Sequence, residues 1–193
     1  MSERLIRTFV SVSVPKEIVN IQSMLKSTVE PKGVKVRWVM NGKMHLTLKF
    51  IGNTTQGSID NLNEALFNVV KSAKVINLSI SGTGAFPVKG RPNVLWLGIK
   101  GDIDELKQLT VNINNSLEPL GFITEKRDFL PHVTIARIKS NQKKIPNISN
   151  YLNTTFTELP MKIVKISLMQ SESFSKGTFY TILGTHFFRT NLE

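Results

Sequence analysis

Along residues 8–14, TFVSVSV, apolar and polar positions alternate. Val10, Val12 and Val14 leave one side, and Phe9, Ser11 and Ser13 leave the other. A period of two predicts a strand, because successive side chains of extended backbone point to opposite faces. Pro15 suits a first helical turn. Ile18, Ile21, Leu25 and Val29 then recur at helical spacing, which predicts a helix over about residues 16–29. A Pro-Lys-Gly turn leads into a short strand at Val34–Val39 and a longer one beginning near His45. Residues 57–73 predict a second helix, with Ile59, Leu62, Leu66 and Val70 on its buried face. Val75–Ser81 returns to a strand.

The second half repeats this order. Val94–Lys100, VLWLGIK, reads as a strand. Asp102 with Glu105 three places on resembles a capping box. Leu106, Leu109, Ile113 and Leu117 form the helix face, and Gly121 ends it. A strand through His132 follows, then a basic loop, a short helix opened by Pro146, and a strand over Met161–Met169. Leu5 to His45 is 40 residues and Val94 to His132 is 38; His45 to Leu78 is 33 and His132 to Val164 is 32. The pattern predicts an α+β fold with two pseudo-symmetric lobes. Each lobe is a mainly antiparallel sheet with helices on the outside, and the lobes flank a central cleft. Residues 1–193 read as one domain with a pseudo-repeat at approximately 1–90 and 91–193, since no linker or low-complexity segment divides it. Gly177–Phe188 supplies a final hairpin.

Composition narrows the chemistry. The absence of cysteine excludes disulfides, zinc–thiolate sites and a cysteine nucleophile. No apolar run is long enough to span a bilayer, and residues 1–14 lack a signal-peptide stretch. The expectation is a soluble cytoplasmic protein, taken as a monomer, with no membrane partner. Net charge is +11, of which residues 1–100 carry +9 and residues 101–193 carry +2. Between Glu30 and Asp60 there is no acidic residue, while Lys32, Lys35, Arg37, Lys43 and Lys49 fall there with His45. That bias favours an anionic partner, nucleic acid first.

Two of the three histidines occupy the same small frame, MHLTLKF at 44–50 and PHVTIAR at 131–137. On a strand, positions i and i+2 share a face. His45 therefore shares a face with Thr47, and His132 with Thr134, while Leu46, Leu48, Val133 and Ile135 anchor the opposite side. Two core histidines would satisfy the pattern, and so would a functional pair. Two imidazoles facing across a cleft suit acid–base chemistry near neutral pH: one takes a proton from a nucleophile and the other gives one to a leaving oxygen. The threonine hydroxyls can hold phosphate oxygens, and positioning with charge stabilisation is most of what phosphoryl transfer requires. A metal site is the competing chemistry. Asp128 is the only acidic residue near either histidine, and threonines are poor ligands for zinc or iron, so neither a metal nor another cofactor is expected.

With these residues in view, the chain resembles the 2H phosphoesterases, and more specifically the RNA 2′,3′-cyclic phosphodiesterases, formerly called 2′-5′ RNA ligases. The resemblance runs nearly end to end, through TFVSVSVP, RWVMNGKMHLTLKFIG, GTGAFPVKGRPNVLWLG, RDFLPHVTIAR and LMQSESFSKGTFYTIL. It implies that His45 donates a proton to the departing 3′ oxygen, that His132 activates water, and that Thr47 and Thr134 hold the phosphate. The implied partner is RNA with a 2′,3′-cyclic phosphate end, or a cyclic nucleotide, and the implied product a 2′-phosphomonoester. A 2′-5′ ligation of the cyclic phosphate to a 5′-hydroxyl, and non-catalytic capture of RNA ends, remain as alternatives.

The resemblance also places an arginine near the phosphate, at Arg137. Strand parity opposes this, because an offset of five from His132 sends Arg137 to the other face unless a bulge re-aims it. Phe50, five after His45, has the same parity and reads as core. Phe86 and Phe129 are candidates to stack on a base, Tyr180 to line the cleft or close the core, and Lys89 and Arg91 to meet an RNA backbone. His186 reads as structural or exposed.

Overall fold

The computed structural model describes residues 5–124, 128–139, 142–174 and 177–189; parts of the basic loop and of the final hairpin's tip lie outside them. The elements follow in the order β1 (Leu5–Ser13), α1 (Ile18–Lys26), β2 (Val36–Trp38), β3 (His45–Thr55), α2 (Ile59–Val70), β4 (Ile76–Phe86), β5 (Val94–Gly101), α3 (Ile103–Leu117), β6 (His132–Ile138), α4 (Ser149–Asn153), β7 (Leu159–Ile163), β8 (Lys165–Phe174) and β9 (Gly177–Phe187). The sheet runs β7-β4-β5-β6-β3-β1-β8-β9, with β2 also alongside β6, and its pairings are antiparallel. Strands β3 and β6 meet at Leu46 and Val133, and this junction joins two lobes. The α+β, two-lobed expectation holds.

Each lobe takes strands from both halves of the chain. β4, from the first half, lies between β5 and β7. β8 and β9, from the second half, extend the sheet beyond β1. The predicted strand Met161–Met169 is therefore two strands. β7 pairs with β4, the chain turns at Val164, and β8 pairs with β1 in the other lobe. Periodicity could not show the break, because apolar residues flank it on both sides. The division near residue 90 belongs to the sequence order and not to the sheet.

Helices α2 and α3 pack on each other; α2 lies against β8 and β9, and α3 against β3 and β4. Their apolar stripes supply the core, with Leu62, Leu66, Leu106, Ile113 and Leu117 fully buried, each stabilising by roughly 1.5–3 kcal/mol. Helix α1 ends at Lys26, short of Val29, because the Ser27 and Thr28 hydroxyls donate back to the carbonyls of Met24 and Leu25 at 2.7 and 2.8 Å. Asp102 does precede α3, yet it is not a side-chain cap. Its carboxylate instead accepts the backbone N–H of Asn77 at 2.9 Å, tying α3 to β4. Gly121 closes the turn after α3 with φ +87° and its N–H on the Glu118 carbonyl, a left-handed conformation that suits glycine.

Candidate active site

The Leu46–Val133 junction buries both of those side chains completely. In an antiparallel register the next positions on the opposite face set His45 beside Thr134 and Thr47 beside His132. The four residues predicted from the repeated frame thus come together on one face, each imidazole next to the other frame's hydroxyl. All four are partly exposed there, while Leu46, Leu48, Val133 and Ile135 are buried behind them.

Each ring is held in the same way. His45 Nδ1 donates to the carbonyl of Lys43 at 2.9 Å, and His132 Nδ1 to that of Leu130 at 2.8 Å, each acceptor two residues upstream. A carbonyl can only accept, so both rings carry hydrogen on Nδ1 and present Nε2 as the working nitrogen. Aromatic rings set the orientation. His45 has Phe9 at 5.0 Å and Tyr180 edge-on at 5.2 Å. His132 has Phe86 edge-on at 5.0 Å and Trp96 at 6.1 Å. Trp96 lies close over Gly84, where a Cβ would stand 2.2 Å from its ring, so only glycine leaves room for it.

Burial lowers both histidine pKa values, because desolvation disfavours the charged ring; the carbonyl hydrogen bonds raise them in part, and the Arg137 guanidinium lowers both further. For His45 the neighbouring His132 adds a smaller depression. Arg137 also acts on Tyr180, lowering a phenol that burial raises.

A bulge resolves the parity of Arg137. Leu95 pairs with Ala136 and Trp96 with Thr134, so Ile135 is the extra residue on β6. Ile135 and Ala136 are both buried, and exposed Arg137 returns to the face of His132 and Thr134. The same device operates in β3. Val10 pairs with Lys49 and Ser11 with Thr47, leaving Leu48 as the extra residue. Lys49 is consequently buried, with Nζ donating to Asn114 Oδ1 at 2.6 Å. Phe50 is turned out to the face of His45 and Thr47, 59% exposed and 6.4 Å from the ring of Phe9. The expectation that Phe50 is core is corrected by this bulge.

Among the other candidates, Phe129 packs against the core and Tyr180 lines the cleft. His186 is structural, its Nε2 3.0 Å from Asn63 Oδ1 of α2. Three contributors were missed. The alternation Val94, Trp96, Gly98 put Trp96 on the cleft face, and Phe9 shared its face with Ser11 and Ser13. Gln22, a polar residue within the apolar stripe of α1, is buried with Nε2 donating to the carbonyls of Val39 and Ile135 at 2.8 and 3.0 Å. Among the described residues no three histidine, aspartate or glutamate side chains gather as metal ligands, and no helix is long and apolar enough to cross a membrane.

Residues 14–173 match the profile of the 2′-5′ RNA ligase superfamily. A protein of Aquifex aeolicus named RNA 2′,3′-cyclic phosphodiesterase is 30% identical over 93% of this chain and 96% of its own length. One of Archaeoglobus fulgidus with the same name is 32% identical over 90% of this chain and 96% of its own. The fold is similar to the crystal structure of a Thermus thermophilus protein, TT0787, with TM-score 0.79 and 23% identity over 96% of this chain and 99% of that one. It is also similar to Escherichia coli LigT complexed with 3′-AMP, with TM-score 0.76 and 22% identity over 97% and 100% of the two chains.

Proposed function

This chain belongs to the 2′-5′ RNA ligase superfamily, and from that premise we propose that it opens RNA or nucleoside 2′,3′-cyclic phosphates to the 2′-phosphomonoester, the RNA 2′,3′-cyclic phosphodiesterase activity after which its relatives are named. His45 and His132 serve as general acid and general base, without a metal.

The phosphate sits between the two histidine–threonine couples. Thr47 and Thr134 donate to its non-bridging oxygens, and Arg137 offsets its charge. His132 Nε2 takes a proton from water as the water oxygen attacks phosphorus. The bond from phosphorus to the 3′ oxygen breaks, and His45 Nε2–H protonates that oxygen to a hydroxyl. The phosphate stays on the 2′ oxygen. Each proton transfer contributes about 10²–10⁴-fold. Without substrate, burial and Arg137 bias both rings to neutrality. A bound phosphate anion opposes both effects and favours the charged form of the acid.

The observation that carries this reading is the antiparallel junction at Leu46 and Val133, with both Nδ1 atoms tied to carbonyls. The test is turnover of cytidine 2′,3′-cyclic monophosphate in the presence of chelator. Cytidine 2′-phosphate should accumulate at an undiminished rate, and H45A or H132A should each lose about 10²–10⁴-fold. A 3′-phosphate product, or full activity in either variant, overturns it. Ligation is the same step in the same sense with a 5′-hydroxyl in place of water as the nucleophile, so dominance of a 2′-5′ joined product at low RNA concentration would reverse the order of the two readings.

A further inference from the structure

The sequence contains three long intervals without an acidic residue, 31–59, 65–101 and 129–157. They are far apart along the chain, yet the sheet brings one stretch of each to the same corner. β2 pairs with β6, and β6 with β5. Side chains lock the adjoining loops together. Gln142 Nε2 donates to the carbonyls of Lys35 and Lys139, and Arg91 donates to those of Gln142 and Lys144.

The register there is unusual in its charges. Arg37 stands directly opposite Arg137, with Val36 opposite Ile138. The ladder ends at Val36 and Ile138, and beyond it the Gln142 side chain joins Lys35 to Lys139 through their carbonyls. Arg37 and Arg137 thus form one rung on the face that Arg137 shares with His132 and Thr134, and Lys35 and Lys139 lie just past its end. All four are exposed. Like charges directly across a ladder destabilise a sheet. Among the described residues, the ion pairs formed by carboxylates fall on Lys32, Lys100 and Lys107 and not on these four cations; Glu30, the partner of Lys32, is tied to Asn147 at the border of the corner. Lys144 and Arg91 continue the surface beyond Lys139, where with Asn93 they help to line a hollow of about 130 Å³, and Lys89 and Lys143 stand in the same two loops.

A corner whose four central cations have no carboxylate partner among the described residues suits a polyanion, and its position says which part of one. Lys139 follows Arg137 by two residues, about 7 Å along extended backbone, comparable with the spacing of successive phosphates in an extended nucleic-acid strand. The cations begin at the cleft and lead outward. A substrate with its 3′-terminal cyclic phosphate in the cleft must leave through its 5′ side, and the ladder offers its phosphates a path.

We propose that β2 and the C-terminal half of β6 form a phosphate-tracking surface, Arg37, Lys35 and Lys139 followed by the lysines beyond, that binds the single-stranded body of an RNA whose 3′ end is being opened. This rests on the function proposed above, and it makes the substrate an oligonucleotide in preference to a free cyclic nucleotide.

The test compares cytidine 2′,3′-cyclic monophosphate with a six-residue oligoribonucleotide ending in the same group, at salt from about 50 to 200 mM. Lys71, Lys74 and Lys107 lie away from this corner, so K71Q/K74Q/K107Q is the control. In the wild type, kcat/KM should be higher for the oligonucleotide and fall more steeply with salt. In K35Q/R37Q/K139Q the oligonucleotide should lose about tenfold or more, and its logarithmic salt slope should flatten by about 2, since each single-strand phosphate contact contributes about 0.7. The mononucleotide should change no more than in the control. Equal salt slopes for the two substrates in the wild type, or an equal loss on both in the variant, overturns the proposal. Should neither substrate turn over, the hydrolase reading has failed by itself. Fluorescence anisotropy of the labelled oligonucleotide then decides this one, with binding weakened in K35Q/R37Q/K139Q but not in the control as the supporting result and equal affinity as the overturning one.

Discussion

Gln22 Nε2 donates to the carbonyl of Ile135 at 3.0 Å, joining α1 to the bulged residue of β6 across 113 positions of sequence. The same carbonyl accepts the N–H of Val39 at 2.9 Å. Bulges disturb the ladder, and Gln22 gives this carbonyl a second donor. Gln22→Met keeps the volume and removes the donor, so it should cost about 1–3 kcal/mol in chemical denaturation. If Gln22 positions Arg137 through the bulge, the pH profile of kcat/KM should also move toward that of an Arg137 variant. A stability loss with an unmoved profile would leave Gln22 a structural role only.

Arg137 itself should set that profile. Burial first, then Arg137, holds both rings below 6.5 against the raising effect of their carbonyl hydrogen bonds. The maximum of kcat/KM for the free enzyme is therefore expected on the acid side of pH 6.5. In Arg137→Gln a positive charge is gone, both pKa values rise, and the maximum moves to higher pH while falling by about 10²-fold. The same shifts govern stability. Above 6.5 the rings are neutral folded or unfolded; as pH falls below 6.5 the unfolded chain takes up protons first, so the ligand-free protein loses stability. Denaturation midpoints at about pH 7.5 and 5.5 should show that loss, and a smaller one in Arg137→Gln. A maximum unmoved by the substitution would sink the assignment.

Much of the site was legible because its signals are local. The frame of histidine and threonine two apart needs only strand parity, and apolar neighbours at the alternate positions fix which face is buried. What parity could not give was everything beyond Leu48 and Ile135. Each bulge adds one residue and inverts the faces that follow, which is why Phe50 read as core and Arg137 as misdirected. Bulges carry no composition signal here; both fall in ordinary aliphatic runs. The exchange of β4 and β8 between lobes is invisible for a related reason, since pairing partners are a property of the sheet and not of the strand.

The β3 bulge can be tested by two neighbouring substitutions. Leu48 is 4% exposed and Phe50 is 59% exposed. Leu48→Ala should cost about 2–5 kcal/mol, as cavities in cores do. Phe50→Ser should cost less than about 1 kcal/mol, as exposed substitutions do. Comparable losses in urea denaturation would mean that Phe50 is packed and that the bulge does not turn it out.

Gly84 makes a sharper demand. A methyl there would meet Trp96 at 2.2 Å, and Trp96 is flanked by Phe86 and His132 at 5.2 and 6.1 Å. Gly84→Ala should force the indole toward the histidine at a cost of about 1–3 kcal/mol. Because His132 Nδ1 is anchored to Leu130, the ring can yield only by weakening that bond, so kcat should fall together with Trp96 fluorescence changing. Unaltered kcat with an altered spectrum would separate the indole from the catalytic base.

The exchange of strands between the halves gives the last prediction. Residues 1–90 contain β1, β3 and β4, but β4 pairs with β5 and β7 and has no neighbour within its own half. β8 and β9, which cover the outer side of β1, belong to residues 91–193. A fragment of residues 1–90 therefore exposes both edges of β4 and the outer edge of β1 and lacks the α3 surface that packs on α2, and such edges promote association over folding. Neither fragment alone should give dispersed amide spectra or cooperative unfolding. Co-expressed, the two should assemble and regain turnover of the cyclic nucleotide, because every strand then finds its partner. Cooperative folding of residues 1–90 in isolation would mean that the lobes are autonomous and that the exchange contributes little to holding the two histidine strands together.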